Sequence, residues 1–567
     1  MKKLYFITWL SAFCGLSQQT NSQNLLWAKQ MSGTGSDIAF SSAVDASGNI
    51  YTTGFFHGIA DFDPGPGTFN MTSNGGQEIF ISKLDASGNF VWAKQIGSTG
   101  DDFGDLIVLD ANANVYITGT FENIADFDPG TGVNNLTSLG TENAFILKLD
   151  SSGNFIFVKQ MGGTGITVPY YIALDGSGYI YTTGRFDGTA DFDPGIGTYN
   201  FFSFGSEDIF VSKLDASGNF IWAKQMGGTG DDWSLSIAID AIGNVYTTGY
   251  FQNIADFDPG TGVYNFTFNG VYDIFISKLD ASGNFIWAKQ MGGLSYDRGL
   301  AIVLDANANV YSTGLFRGTV DFDPGSGTFN MTAVGGPSNE DIYVSKLDSS
   351  GNFMWAKQMG GIGIDIGRAI AVDTHGNVYT TGWFQGIADF DPGIGTYNLT
   401  SDTASEDIFV TKLDPSGNFL SAVKMGGAGY DAGNGIFIDG IGNVYIAGQF
   451  QDTANFNTGS GINNLVSTGS DDICVVKLDS SAVTAIAEIK NSFNTISVFP
   501  NPGAGKFSIT NSNIISEIKI TNTLGQLIYQ TKPNEKYFSL QIDEVGIYFI
   551  QITANKQTTT KKLIVCK

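Results

Sequence analysis

Apolar residues gather in short runs, and the runs are separated by turns rich in Gly, Asp and Asn. In the first copy the runs are Trp27–Met31, Phe40–Asp45, Ile50–Phe56 and Ile79–Asp85. Short strand-like runs between such turns predict β-strands, and no stretch carries capped 3.6-residue spacing. Ala46-Ser-Gly-Asn49 and Asp85-Ala-Ser-Gly-Asn89 supply hairpin turns, because Gly tolerates positive φ and Asx side chains bond the nearby backbone. The whole pattern recurs seven times. Its marker, Asp-Phe-Asp-Pro-Gly, begins at Asp61, Asp126, Asp191, Asp256, Asp321 and Asp389, with a worn copy at Asn455, at intervals of 65, 65, 65, 65, 68 and 66 residues.

Four strands per repeat of this length predict the blade of a β-propeller. All length variation falls between the marker and Lys-Leu-Asp, so a surface loop is expected there. The array opens on the Trp27 strand and ends on Lys477-Leu-Asp479 with no such strand after it. Pairing the two ends would complete the last blade and bury edges that invite aggregation. The expected fold is therefore all-β, a seven-bladed β-propeller closed by the N-terminal strand, with an open β-solenoid as the competing reading. Expected boundaries are 1–22 for a signal peptide, 24–484 for the propeller and 485–567 for a small C-terminal Ig-like β-sandwich.

Each intact marker pairs two carboxylates at i and i+2, a spacing able to offer oxygen ligands to Ca²⁺. The pairs are Asp61 with Asp63, Asp126 with Asp128, Asp191 with Asp193, Asp256 with Asp258, Asp321 with Asp323, and Asp389 with Asp391. The alternative is structural: Asp caps the turn, Phe62 fills the core and Pro-Gly sets the bend. Asn455 and Asn457 keep the shape without the charge, which favours the turn role in that copy. Asp37, Asp102, Asp232, Asp297, Asp365 and Asp431 recur after the Gly-rich turn and read as capping or inter-blade hydrogen bonding. Trp27, Trp92, Trp222, Trp287 and Trp355 read as packing between blades.

Positions that refuse to repeat bear on function. Before each constant Phe stand Phe55, Thr120, Arg185, Tyr250, Leu315, Trp383 and Gln449. Of these, Phe55, Arg185, Tyr250, Leu315 and Trp383 are the candidate surface for a glycan or protein partner. Catalysis has little support: there are two His, and a motif present in every repeat is not the asymmetric constellation that chemistry needs.

Lys83-Leu-Asp-Ala-Ser-Gly-Asn-Phe90, Trp92-Ala-Lys-Gln95 and Asn49-Ile-Tyr-Thr-Thr-Gly54 resemble the SBBP-type β-propeller repeat of secreted bacterial proteins. That resemblance specifies a fold and leaves activity open. Further on, Val498-Phe-Pro-Asn-Pro502, Asn522-Thr-Leu-Gly-Gln526, Gly546-Ile-Tyr-Phe549 and Lys561-Lys-Leu-Ile-Val565 resemble the type A C-terminal sorting domain of the type IX secretion system of Bacteroidetes. It implies the type IX secretion machinery as a partner, with Pro500, Asn501, Pro502, Gly525, Gly546, Lys561 and Lys562 in the sorting motif. An unrelated Ig-like adhesion module is the alternative.

Charge narrows the partners. The formal net charge is −26, and residues 4–484 carry 18 basic against 50 acidic side chains. Such a surface repels nucleic acid and anionic membranes. Met1-Lys2-Lys3 followed by the mostly apolar Leu4–Leu16 reads as a secretory signal peptide, and no other segment approaches ~18 consecutive apolar residues, so no transmembrane segment is expected once it is removed. Cys474 and Cys566, beyond that leader, are too few for a disulfide framework. The expectation is an exported, non-enzymatic binding or adhesion protein; a polysaccharide hydrolase or lyase and a structural surface component are the alternatives.

Overall fold

The computed structural model describes residues 23–336, 338–479, 497–499, 505–522, 526–554 and 557–565. The expected signal peptide, Pro500, Asn501, Pro502, Gly525 and Cys566 lie outside them. The chain forms two compact units, Met1–Ala482 and Val483–Lys567.

The first unit is built almost wholly of antiparallel β-sheet. In the first repeat the strands are Ile38–Val44, Ile50–Phe56, Glu78–Leu84 and Phe90–Ile96, hydrogen-bonded in that order. The same order recurs in the later repeats, and the four predicted strands match in place and pairing. At the end of the array Asp472–Leu478 takes its outer partner from the start of the chain: Leu25 pairs with Leu478, and Met31 with Ile473. Innermost strands pack side by side, Ile38–Val44 lying against Phe103–Leu109 on one side and Ala432–Ile438 on the other.

The segment expected as a plain loop holds an additional short hairpin, Ile59–Asp61 with Asn70–Thr72. It forms because the Asp-Phe-Asp-Pro-Gly turn reverses the chain and the end of the preceding outer strand supplies an edge, with Gly33 paired to Ala60. Each second strand is buried along nearly its whole length, as Ile50–Phe56 illustrates. The core lies between neighbouring sheets: Phe62 is fully buried against Phe56 at 5.3 Å and Phe80 at 5.1 Å. Trp222 and Trp355 donate their indole N–H to the carbonyls of Ala281 and Pro415, in the turn of the following repeat.

In the second unit Lys506–Asn522 is one continuous strand, where spacing had indicated two. Its first half pairs with Glu535–Gln541, an unexpected strand, and its second half with Leu527–Thr531 and Gly546–Ala554. Alternate residues Ile518, Ile520, Ile550 and Ile552 are fully buried, the pattern of a sheet covered on one face. Gly546, Lys561 and Lys562 all stand on the paired strands Gly546–Ala554 and Gln557–Val565.

Candidate functional site

One glycine per repeat sets the site. Gly54 ends the run Tyr51-Thr-Thr-Gly54, and a Cβ there would lie 1.9 Å from the carbonyl oxygen of Ile38. At Gly119, Gly249 and Gly382 the same atom would meet the equivalent carbonyl at 1.9, 1.8 and 1.9 Å. Only Gly admits that approach, and the approach accommodates a β-bulge in the innermost strand, between Ala39 and Ser41 in the first repeat. A bulge leaves its residue out of the ladder and re-aims it. The bulge positions are Phe40, Asp105, Tyr170, Leu235, Leu300, Arg368 and Asn434, and all seven line one cavity of about 830 Å³.

A rigid repeat thus presents a changing side chain, with only leucine occurring twice, which yields an asymmetric site. Trp233, Tyr250 and Arg298 join the lining. Rings continue outward in an unbroken series: Tyr170 to Trp233 at 5.8 Å, Trp233 to Tyr250 at 5.2 Å, Tyr250 to Tyr272 at 4.8 Å and Tyr272 to Tyr296 at 5.6 Å. Arginines lie over these rings, Arg185 at 4.1 Å from Trp233, Arg298 at 4.8 Å from Tyr250 and Arg317 at 4.9 Å from Tyr296. Cation–π contact of this kind holds flat groups in fixed orientations. Glu207 ties the series down, pairing with Arg185 and accepting the Trp233 indole N–H at 2.6 Å.

Two charged bulge residues have unusual surroundings. Burial pushes the Asp105 carboxyl up to about 8; Glu142 adds to the rise and Arg368 opposes it. Its Oδ2 is buried with no hydrogen-bond partner. The enclosing walls pull Arg368 below the ordinary guanidinium range, although the side chain is open to the lumen.

The predicted partner residues sit elsewhere than expected. Phe55, Tyr250 and Leu315 are only 5, 3 and 5 % exposed, so the series is no open surface. It forms a layer behind the bulge residues, with Phe55 against Phe40 at 5.6 Å and Phe103 at 5.3 Å. Arg185 and Trp383 are half-buried, Arg185 in the ring series and Trp383 against Tyr430 at 6.0 Å. Of the five candidates, Tyr250 lines the cavity.

The marker carboxylates, read from spacing as possible Ca²⁺ ligands, cap their own turns. Asp61 Oδ1 accepts from the N–H groups of Asp63 and Phe69, and Asp63 Oδ1 accepts from Gly65 N–H. Asp126 and Asp128 repeat these three bonds, as do Asp191 and Asp193. So do Asp256 and Asp258, Asp321 and Asp323, and Asp389 and Asp391. Asn455 and Asn457 make the same bonds without charge. One oxygen of each acid is thus turned onto backbone N–H groups, and the pairs stand one to a repeat. Among the described residues no three His, Cys, Asp or Glu side chains gather as a metal-ligand set, at Asp63, Asp128, Asp193, Asp258, Asp323, Asp391 or elsewhere.

The bulge ring was missed because a bulge breaks the count on which strand-facing arguments rest. Arginine would have pointed to it. Thirteen of the fourteen lysines between residues 23 and 479 occupy the two repeating lysine positions, and Lys424 takes the place of the repeated Gln. The chain's four arginines, Arg185, Arg298, Arg317 and Arg368, occupy non-repeating positions. The repeated lysines are structural: Lys83 lies 4.6 Å over the Tyr51 ring and donates to Ser151 O.

Two family models match stretches of the chain in keeping with this organisation. Residues 497–566 match the model of the secretion system C-terminal sorting domain, and residues 355–384 match that of the β-propeller repeat. The uncharacterized WD repeat-containing protein L264 of Acanthamoeba polyphaga mimivirus is 26% identical over 75% of this chain and 36% of its own length. Ulvan lyase NLR42 of Nonlabens ulvanivorans is 36% identical over 14% of this chain and 16% of its own length. The chain therefore spans well under half the length of these relatives. Among solved structures, PorZ, a surface component of the type IX secretion system of Porphyromonas gingivalis, aligns over 93% of this chain and 81% of its own at 13% identity and a TM-score of 0.24. Sqt1 from Chaetomium thermophilum aligns over 81% and 99% at 10% identity, with a TM-score of 0.38. Among the described residues no helix is long and apolar enough to cross a membrane. This chain carries β-propeller repeats followed by a type IX secretion system C-terminal sorting domain, and it is exported to the cell surface or released there.

Proposed function

We propose that residues 24–484 form a closed seven-bladed propeller and that it acts, once exported, as a non-enzymatic binding protein for a glycan or protein ligand. The pairing of Leu25–Gly33 with Asp472–Leu478 supports closure, as does the packing of Ile38–Val44 against both Phe103–Leu109 and Ala432–Ile438. In this reading the leader 1–22 takes the chain to the periplasm and 485–567 hands it to the secretion machinery.

The observation that carries the binding reading is the bulge ring. Seven equivalent positions hold seven side chains of different chemistry, except for the two leucines, and all face one cavity of ligand-site size. A wall needed only for packing would repeat as the rest of the unit does. Glycan-array and protein-array binding with the full chain tests it, alongside Trp233→Ala and Tyr250→Ala. The reading expects specific binding that both variants weaken by on the order of 10-fold or more, the usual loss for an aromatic anchor. Release of new reducing ends by the intact protein would instead make it an enzyme.

A further inference from the structure

Resting on the cavity as a binding site, we infer that its ligand is a carboxylate-bearing sugar chain, a uronate oligosaccharide held by Arg298 and Arg368. The protein carries −26 formal charges, yet these two guanidinium groups face the same cavity with no carboxylate at ion-pair distance among the described residues. Arg185 and Arg317, by contrast, are paired with Glu207 and Glu340. Placing arginines beside acidic residues and leaving two unmatched selects for an incoming anion. A planar guanidinium grips a planar carboxylate through two parallel N–H···O bonds, which a lysine cannot do. The Nε of Arg298 is buried without a partner, so part of that donor fork is vacant.

Two further features favour a sugar over a peptide. Tyr170, Trp233 and Tyr250 line the cavity together with the arginines, and aromatic rings suit the C–H face of a pyranose. The innermost strands also use one ladder edge each, so their other edges converge on the cavity from all sides. A compact polyhydroxylated ligand satisfies several of these edges together, whereas an extended peptide pairs with one. Asp105 does not oppose the anion, because a carboxyl held protonated near neutrality donates a hydrogen bond.

Titration calorimetry on the full chain tests the inference. The probes are uronate tetrasaccharides of galacturonate, glucuronate and mannuronate, their carboxyl-reduced counterparts, and octaglutamate. At least one uronate should bind, with the reduced sugar and octaglutamate at least about 10-fold weaker. Arg298→Gln and Arg368→Gln should each cost on the order of 10- to 100-fold in uronate affinity, the scale of one charge-assisted contact, and a clearly smaller factor in reduced-sugar affinity. Circular dichroism melting verifies that both variants fold, and Lys94→Gln, on an outer strand, serves as the control. Equal binding of the reduced sugar overturns the carboxylate inference and leaves the binding reading standing. Preference for octaglutamate overturns it in favour of an acidic peptide. Failure of every probe to bind overturns the inference; the array experiment then decides the binding reading independently.

Discussion

Asp208 and Asp232 press two fully buried carboxyls against one glycine: a Cβ on Gly227 would lie 2.8 Å from Asp208 Oδ1 and 3.0 Å from Asp232 Oδ2. Gly360 stands likewise between Asp341 and Asp365, and Gly426 between Asp407 and Asp431. The second member of each pair ties the Gly-rich turn to its own repeat, as Asp232 does through the N–H groups of Gly228 and Gln252. At the equivalent junction Asn143 and Thr167 replace both acids together.

These pairs set a pH dependence. Burial raises Asp208 to about 6 and Asp232 to about 8; Asp365 and Asp431 rise to about 7 and about 8. Folding therefore takes up protons between the unfolded value of 3.8 and these folded values, and the stability so gained is lost as pH rises through about 6 to 8. Thermal melting should give a higher midpoint at pH 5 than at pH 8.5. Asp232→Asn, which removes the ionisable group but keeps only one of the two acceptor oxygens, should flatten the slope of midpoint against pH. A midpoint that climbs between pH 5 and 8.5 refutes this account.

The marker carboxylates separate turn-capping from ion binding. If capping is their whole role, Asp128→Asn leaves the melting midpoint within about a degree of the parent. Asp128→Ala then costs about 1 kcal/mol for the lost acceptor. A chelator that lowers the midpoint would place Ca²⁺ at the pairs, because an ion bound only by the native state stabilises it.

Gly119→Ala should destabilise by about 3 kcal/mol, since its Cβ would meet Phe103 O at 1.9 Å and the opposing backbone has to move. Because the bulge carries Asp105, ligand affinity should fall even where the variant stays folded. Urea unfolding together with a binding titration reads both effects.

Removing residues 25–33 exposes the edge of Asp472–Leu478. The truncated chain should melt earlier and associate, since an unpaired buried-type strand templates pairing with another copy. Light scattering beside melting measures it, and a monomeric chain of unchanged midpoint would argue against closure through this strand.

Deleting 497–566 should hold the protein inside the outer membrane while leaving the melting of the propeller repeats intact. Surface proteolysis of intact cells, with fractionation, reports the location.

The sequence by itself determined the repeat, its strands, the junction of first and last strands, the turn role open to the marker acids and the sorting domain. Each of these is local or periodic: Gly and Asx fix turns, alternation fixes faces, and identical spacing makes identical units. Tertiary structure alone decided which non-repeating residues meet. Their failure to repeat pointed to Phe55, Arg185, Tyr250, Leu315 and Trp383 as the contact surface, yet of these five Tyr250 alone lines the cavity, because the bulge opposite Gly54 turns Phe40 and its equivalents into it instead. Asp105 and Arg368 stand far apart in sequence, and only the lateral packing of successive repeats brings them into one lumen. The carboxyl pairs show the same division. Asp37 was legible as a recurring cap, but its burial beside Asp472, from the other end of the array, exists only once the first and last repeats meet.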